Sequence, residues 1–99
     1  MSNSIIWSPL AEKDFEIILN YLNDKWGNDG ALKFIDILDY NLFQLIRNPK
    51  QYPLINKKMK VRKCVVTKHN TIFYRYSKKH INILRVYDTR QDPADLTFI

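Results

Sequence analysis

The sequence predicts an α+β domain of order β-α-α-β-β-β, an antiparallel sheet with an α-helical hairpin packed on one face. Three observations predict it. Two long stretches of helical periodicity meet at a short Gly-containing turn. Three β-branched and aromatic runs follow, separated by hairpin-length gaps. The length of 99 residues leaves room for one core, so residues 1–99 are expected to form a single domain.

Taken in order, Ser4-Ile5-Ile6-Trp7 reads as a short strand. Ser8-Pro9 reads as a helix start, because Ser accepts from orphan N–H groups and Pro at the first helical position gives up a hydrogen bond that had no partner. Glu12 and Asp14 suit the positive end of the helix dipole. Leu10, Phe15, Ile18, Leu19 and Leu22, with Trp26 one turn on, draw an apolar stripe, and Gly27-Asn28 ends the helix. A second helix is expected from about Asp29 to Arg47, with the stripe Ala31, Phe34, Ile35, Leu38, Leu42, Leu45 and Ile46. Asn48-Pro49 closes it.

Residues 49–60 read as a polar connector ending in Lys57-Lys58-Met59-Lys60. Strands are expected at 61–67, 71–77 and 81–88, with turns at Lys68-His69-Asn70 and Lys78-Lys79-His80. Period-2 alternation in the last strand places Ile81, Ile83, Arg85 and Tyr87 on one face and Leu84, Val86 and Asp88 on the other.

The net charge is +6, and its distribution says more than its size. Residues 1–49 carry four Lys/Arg against seven Asp/Glu, a net −3, whereas residues 50–99 carry 12 against three, a net +9. Such asymmetry favours an anionic partner and speeds encounter with it. The one cysteine, Cys64, excludes an internal disulfide and fits a reducing, cytoplasmic setting. No signal-peptide pattern and no apolar run of about 20 residues is present, so no membrane role is expected.

Cys64, His69 and His80 are the only soft or imidazole ligands, too few for a structural zinc site, so neither metal nor cofactor is expected. Cys64 in mid-strand reads as a small buried residue, and the histidines read as exposed turn residues. No phosphate loop, nucleophile elbow or paired-carboxylate motif occurs. The basic strands stand out instead. Between residues 56 and 90 there are 11 Lys/Arg and one acid, Asp88, interleaved with Phe73, Tyr74, Tyr76 and Tyr87. Arg with aromatic groups can grip phosphates and stack on bases. Arg62, Arg75 and Arg85 lie inside strands, where a planar fork of donors suits a carboxylate or phosphate. The structural alternative is an internal pair, such as Arg75 or Arg90 with Asp88.

Trp7-Ser8-Pro9-Leu10-Ala11-Glu12-Lys13-Asp14, then Val61 to Val66, then Thr71-Ile72-Phe73-Tyr74-Arg75-Tyr76, then Ile83 to Pro93, together resemble the ParE/RelE toxin superfamily, from about Ile5 to Pro93. The resemblance is strongest to ParE, the plasmid stabilization proteins, in Ile72-Phe73-Tyr74-Arg75 and the closing Arg90-Gln91-Asp92-Pro93. It implies the toxin of a type II toxin–antitoxin module. The partner would be an antitoxin whose C-terminal segment folds on contact. A ParE-like toxin inhibits DNA gyrase and is not an enzyme. A RelE-like one is an endoribonuclease acting on messenger RNA in the ribosome, and a chain that keeps only antitoxin binding is a third outcome.

Metal-free RNA cleavage needs a base, an acid and cations for the phosphate. Thr71 falls where a RelE-like enzyme carries an early middle-strand arginine, and Tyr87, Arg90 and Gln91 form an incomplete C-terminal set. Arg62 does match a basic family position. The ParE-like reading is therefore preferred, with Arg62, Arg75, Arg85, Tyr87 and Arg90 expected to bind target or antitoxin. Arg62, Tyr87 and Arg90 are the catalytic candidates if the chain cuts RNA.

Overall fold

The structure is a computed structural model that describes residues 4–91 and 96–98; the Asp92-Pro93 end of the C-terminal motif lies outside the described residues. β1 (Ser4–Trp7) leads into α1 (Pro9–Arg47), followed by β2 (Leu54–Asn56), β3 (Val61–Val65), β4 (Asn70–Tyr76) and β5 (His80–Asp88). The strands form one five-stranded sheet in the order β1-β5-β4-β3-β2.

α1 begins where the sequence places its start. The Ser8 hydroxyl accepts the Ala11 N–H at 3.0 Å and donates to the Leu84 carbonyl at 2.7 Å, so one side chain both caps the helix and ties it to β5. At Gly27 the backbone leaves the helix with φ 75° and ψ −173°, a region open essentially to glycine alone. The two arms of α1 fold back on each other there. The Phe15 and Phe34 rings lie 6.4 Å apart, whereas an unbroken helix would carry them about 28 Å apart. A Cβ on Gly30 would meet the Trp26 Cβ at 2.5 Å, so the second arm restarts against Trp26 only because position 30 has no side chain. The expected hairpin is present, and both apolar stripes face the sheet. Trp26 is the exception, since it is 65% exposed and leaves the stripe it continues on paper.

β3, β4 and β5 form the expected antiparallel meander. Two features differ from the sequence reading. β1 pairs with β5 in parallel, Ser4 opposite His80 through Trp7 opposite Ile83, because the chain returns to β5 only after the long helical crossover that a parallel neighbour requires. The connector holds a short edge strand, β2, paired to Arg62 and Val61 with a register shift. Three residues of mixed polarity give no alternation to read.

β5 carries a bulge. Phe73 pairs with Arg85 and Tyr74 with Ile83, leaving Leu84 without a partner. The N-terminal part of the chain satisfies the freed backbone groups. Ser8 N–H donates to the Ile83 carbonyl at 3.0 Å, the Ser8 hydroxyl to the Leu84 carbonyl, and the Val86 N–H to Asp14 Oδ2 at 3.0 Å. The bulge shifts the side-chain phase. Ile81, Ile83 and Val86 join the core under α1, while Leu84 and Tyr87 join a second cluster. The expected grouping of Arg85 and Tyr87 with Ile81 and Ile83 is thereby broken.

The main core combines Ala11, Ile18, Phe34, Leu38, Leu42 and Leu45 of α1 with Cys64, Ile72 and Tyr74 of the sheet. The smaller cluster, Val61, Phe73 and Leu84, lies on the opposite sheet face, where Leu96 and Phe98 pack over it and the Phe73 and Phe98 rings meet at 5.5 Å. Among the described residues no helix is long and apolar enough to cross a membrane.

Candidate functional site

The five residues expected to form one binding surface are distributed over both sheet faces and the core. Arg62 lies on the face toward α1, opposite Tyr74 in register. Its guanidinium donates to the Tyr52 carbonyl at 2.7 Å and the Lys50 carbonyl at 3.3 Å, and sits 5.5 Å from the Tyr76 ring. It clamps the connector to β3. Arg75 is exposed beside a shallow hollow of about 250 Å³ with Lys60 and Asn82, with a long 3.5 Å contact to the Met59 carbonyl.

Arg85 requires a correction. It is only 8% exposed, and its Nε and Nη2 grip the Asp14 carboxylate at 2.7 and 2.8 Å while Nη1 donates to the Thr97 carbonyl at 2.8 Å. The hydrogen bond with Asp14, against the opposing effect of burial, pushes its pKa above the usual arginine value. Buried against these partners, it acts as a structural cation holding α1 and the C-terminal segment onto β5.

Tyr87 lies opposite Thr71 and packs with Phe73 in the second cluster, its hydroxyl donating to the Gln91 carbonyl at 3.1 Å. Arg62 and Tyr87 thus occupy opposite faces of the sheet. Arg90 pairs with Asp88 through contacts of 2.8 and 2.6 Å, the internal pair foreseen as the alternative. Burial alone would raise the Asp88 carboxyl, but hydrogen bonds from the Arg90 side chain and N–H hold it below the usual carboxylate range. Thr71 is nearly buried and neutral.

A cleft of about 670 Å³ lies between the tip of the helical hairpin and the β3–β4 turn. Leu22, Phe34 and Ile37 contribute apolar surface, and Lys25, Lys33, Lys68 and Arg90 bring positive charge against Asp29. The Arg90 guanidinium lies 4.4 Å from the Tyr21 ring, and Lys25 Nζ donates to the Tyr21 hydroxyl at 3.2 Å. On the β3–β4 turn, Thr67 donates to Asn70 Oδ1 at 2.8 Å, while Asn70 Nδ2 is buried without a hydrogen-bond partner among the described residues. Sequence reading brought only Arg90 here. His69 read as turn material, and Lys25 and Lys33 belong to a half of the chain whose net charge is negative. The legible signal was the pair of glycines, Gly27 and Gly30, that follow Trp26.

Cys64 is fully buried near Asn41 and Tyr52, as its mid-strand position suggests. Burial pushes its thiol pKa up, against a hydrogen bond with Tyr52 that lowers it. Tyr52 is raised to about 12, chiefly by burial and then by Cys64. Tyr74 is raised further, mainly by burial, and its hydroxyl donates to the Pro49 carbonyl at 2.6 Å. These groups stay protonated at neutral pH and lock the exit of α1 onto the sheet.

The chain thus combines a β-strand, a helical hairpin and an antiparallel meander with surface cations scattered over both sheet faces. Solved structures share this fold. A chain of the chromosomal ParDE toxin–antitoxin system from P. aeruginosa superimposes with a TM-score of 0.73 at 22% identity, covering 87% of this chain and 95% of that one. The E. coli DinJ–YafQ toxin–antitoxin complex gives 0.62 at 18% identity (91% and 96% covered). The YoeB/ParE toxin from Agrobacterium tumefaciens gives 0.62 at 11% (86% and 96%). Among curated proteins, none matches this chain in sequence. The family model for the ParE toxin of the type II toxin–antitoxin system parDE matches residues 5–93, and the chain belongs to that family.

Proposed function

We propose that this toxin acts by binding DNA gyrase rather than by cutting RNA, and that a cognate antitoxin neutralises it. The observation that carries the reading is the dispersal of the ribonuclease candidates. Arg62 and Tyr87 lie on opposite sheet faces, Arg90 is paired with Asp88, and Thr71 is neutral. Base, acid and phosphate-binding cation must meet around one phosphate within hydrogen-bond reach, and these side chains do not. The cations that remain at the surface, Arg75 and the lysines of the strands, suit electrostatic capture of a partner.

Exposed apolar groups support antitoxin docking. Leu32, Tyr40 and Phe43 share one face of the second arm of α1, and Leu54 and Ile55 sit on the edge strand β2. The first would take an amphipathic helix and the second an added strand. In the test, purified protein is titrated into a gyrase supercoiling reaction with and without antitoxin. Supercoiling should fail and be restored by antitoxin. Intact supercoiling at concentrations that arrest growth, together with messenger RNA cut at the ribosomal A site, would overturn the proposal in favour of the endoribonuclease reading. A chain that leaves growth unaffected without antitoxin would instead be an antitoxin-binding module only.

A further inference from the structure

We propose that the cleft at the tip of the helical hairpin binds a nucleoside phosphate, the base lying on the indole of Trp26 and the phosphate among Lys25, Lys33 and Lys68. The site goes beyond the gyrase reading and does not depend on it.

Charge is the first argument. Three lysines and Arg90 line the cleft against one carboxylate, Asp29. Arg90 is largely matched by Asp88, but among the described residues no carboxylate pairs with any of the three lysines. They supply the compact positive charge that a phosphate attracts.

The second argument is the exposed aromatic plane. Trp26 is the most exposed large apolar side chain among the described residues, and the two glycines fix it at the hairpin tip, Gly27 by turning the chain and Gly30 by admitting the Trp26 side chain where a Cβ would collide. An indole held in place at the edge of a cationic cleft suits base stacking, which accepts any base because every base has a π-face. A carboxylate-bearing peptide would use the lysines but not this plane.

Size and polarity agree. About 670 Å³ falls within the usual range for small-molecule sites, and the apolar surface of Leu22 and Phe34 with a few polar groups on one wall is their usual composition. On that wall Asn70 Nδ2 lacks an acceptor among the described residues. A base carbonyl or ring nitrogen could supply one if the Thr67–Asn70 turn yields slightly.

The test titrates the purified chain with adenosine and guanosine monophosphates. Calorimetry reads the unmodified chain, and quenching of Trp26 fluorescence reads a Trp7→Phe variant in which Trp26 is the only tryptophan. Saturable binding is expected, weakening with salt and falling at least about tenfold in Lys33→Gln/Lys68→Gln. In Trp26→Ala, nucleotide affinity should fall while inorganic phosphate binding persists. Trp26, Lys33 and Lys68 are exposed and Trp7 is half-buried, and circular dichroism checks the fold of each variant. A short single-stranded oligonucleotide that competes with the mononucleotide identifies the terminal unit of a nucleic acid as the natural source; failure to compete identifies the free nucleotide. No saturable binding up to millimolar concentration overturns the proposal, as does binding that neither variant alters. Inorganic phosphate binding as tightly as the nucleotides reduces the cleft to an anion site and also overturns it. Tighter competition by an acidic peptide reassigns the cleft to a protein partner.

Discussion

Replacing Asp14 with Ala should be among the most damaging single changes in the chain. Asp14 and Arg85 are 5% and 8% exposed, and the carboxylate accepts two hydrogen bonds from Arg85 and one from the Val86 N–H. Asp14→Ala leaves a buried guanidinium with two idle nitrogens and an orphaned backbone donor inside a bulge. Breaking a buried pair by removing one partner costs about 3–5 kcal/mol, and the unpaired N–H lies within that range rather than wholly on top of it, so about 4 kcal/mol is expected. A domain of this length has a stability of roughly 5–15 kcal/mol, so the loss approaches unfolding and lowers Tm by roughly 15–30 °C.

Asp14→Leu/Arg85→Met removes both charges at similar volume. It should recover at least half of the loss, the remainder reflecting the lost bonds from the Val86 N–H to Asp14 and from Arg85 to the Thr97 carbonyl. Urea unfolding followed by circular dichroism measures both. A single variant within about 1 kcal/mol of the parent refutes the reasoning, as does a double variant no more stable than the single. The double variant also decides the role of Arg85. If Arg85 is structural, a folded double variant still arrests growth; if toxicity disappears while the fold persists, Arg85 belongs to the target surface after all.

Three further outcomes follow from the packing. Cys64, fully buried with a raised thiol pKa, should react with a disulfide reagent only as fast as the protein unfolds, and stoichiometric reaction of the native chain within seconds would contradict its placement. Gly27→Ala should cost roughly 1–3 kcal/mol because φ 75° and ψ −173° exclude a side chain, although nothing lies within 4 Å of the added Cβ; a neutral result in urea melts would show that the hairpin turn has another conformation. Asp88 has a folded pKa below its unfolded value. Its contribution to stability is therefore present above about pH 4 and is lost as pH falls through the lower folded value, so Asp88→Asn should flatten that part of the acid unfolding curve.

Much of the fold was readable because its signals are local. The two helical stripes, the Ser8-Pro9 start and the three long strands each follow from short-range periodicity or from one capping residue. Features set by tertiary pairing were not readable. β2 is a strand because Val61 and Arg62 pair with it, not because of its own three residues. The parallel placement of β1 depends on where the chain returns after the helices. Arg85 shows the same limit at the level of a site. Period-2 alternation groups it with Ile81, Ile83 and Tyr87, and only Asp14, 71 residues away, shows its role. The expected Arg90–Asp88 pair was readable because its members are two residues apart.

The bulge at Leu84 connects these misses to function. By shifting the phase of β5 it sends Tyr87 to the face away from α1, while Arg85 is buried against Asp14. The cations left near the surface then occupy separate places, with Arg62 beside the connector, Arg75 at its hollow and Arg90 with the lysines at the hairpin tip. One compact partner of ordinary interface size, about 800 Å² on each side, would cover one or two of these regions and leave the rest open. A partner that silences all of them has to run as an extended segment across the helices and around the sheet edge. A chain that orders on binding can cover such a surface, at the cost of lower affinity per unit of area. An antitoxin segment of that kind should lose affinity gradually as it is shortened, region by region, whereas a single docking site would produce an abrupt loss at one truncation.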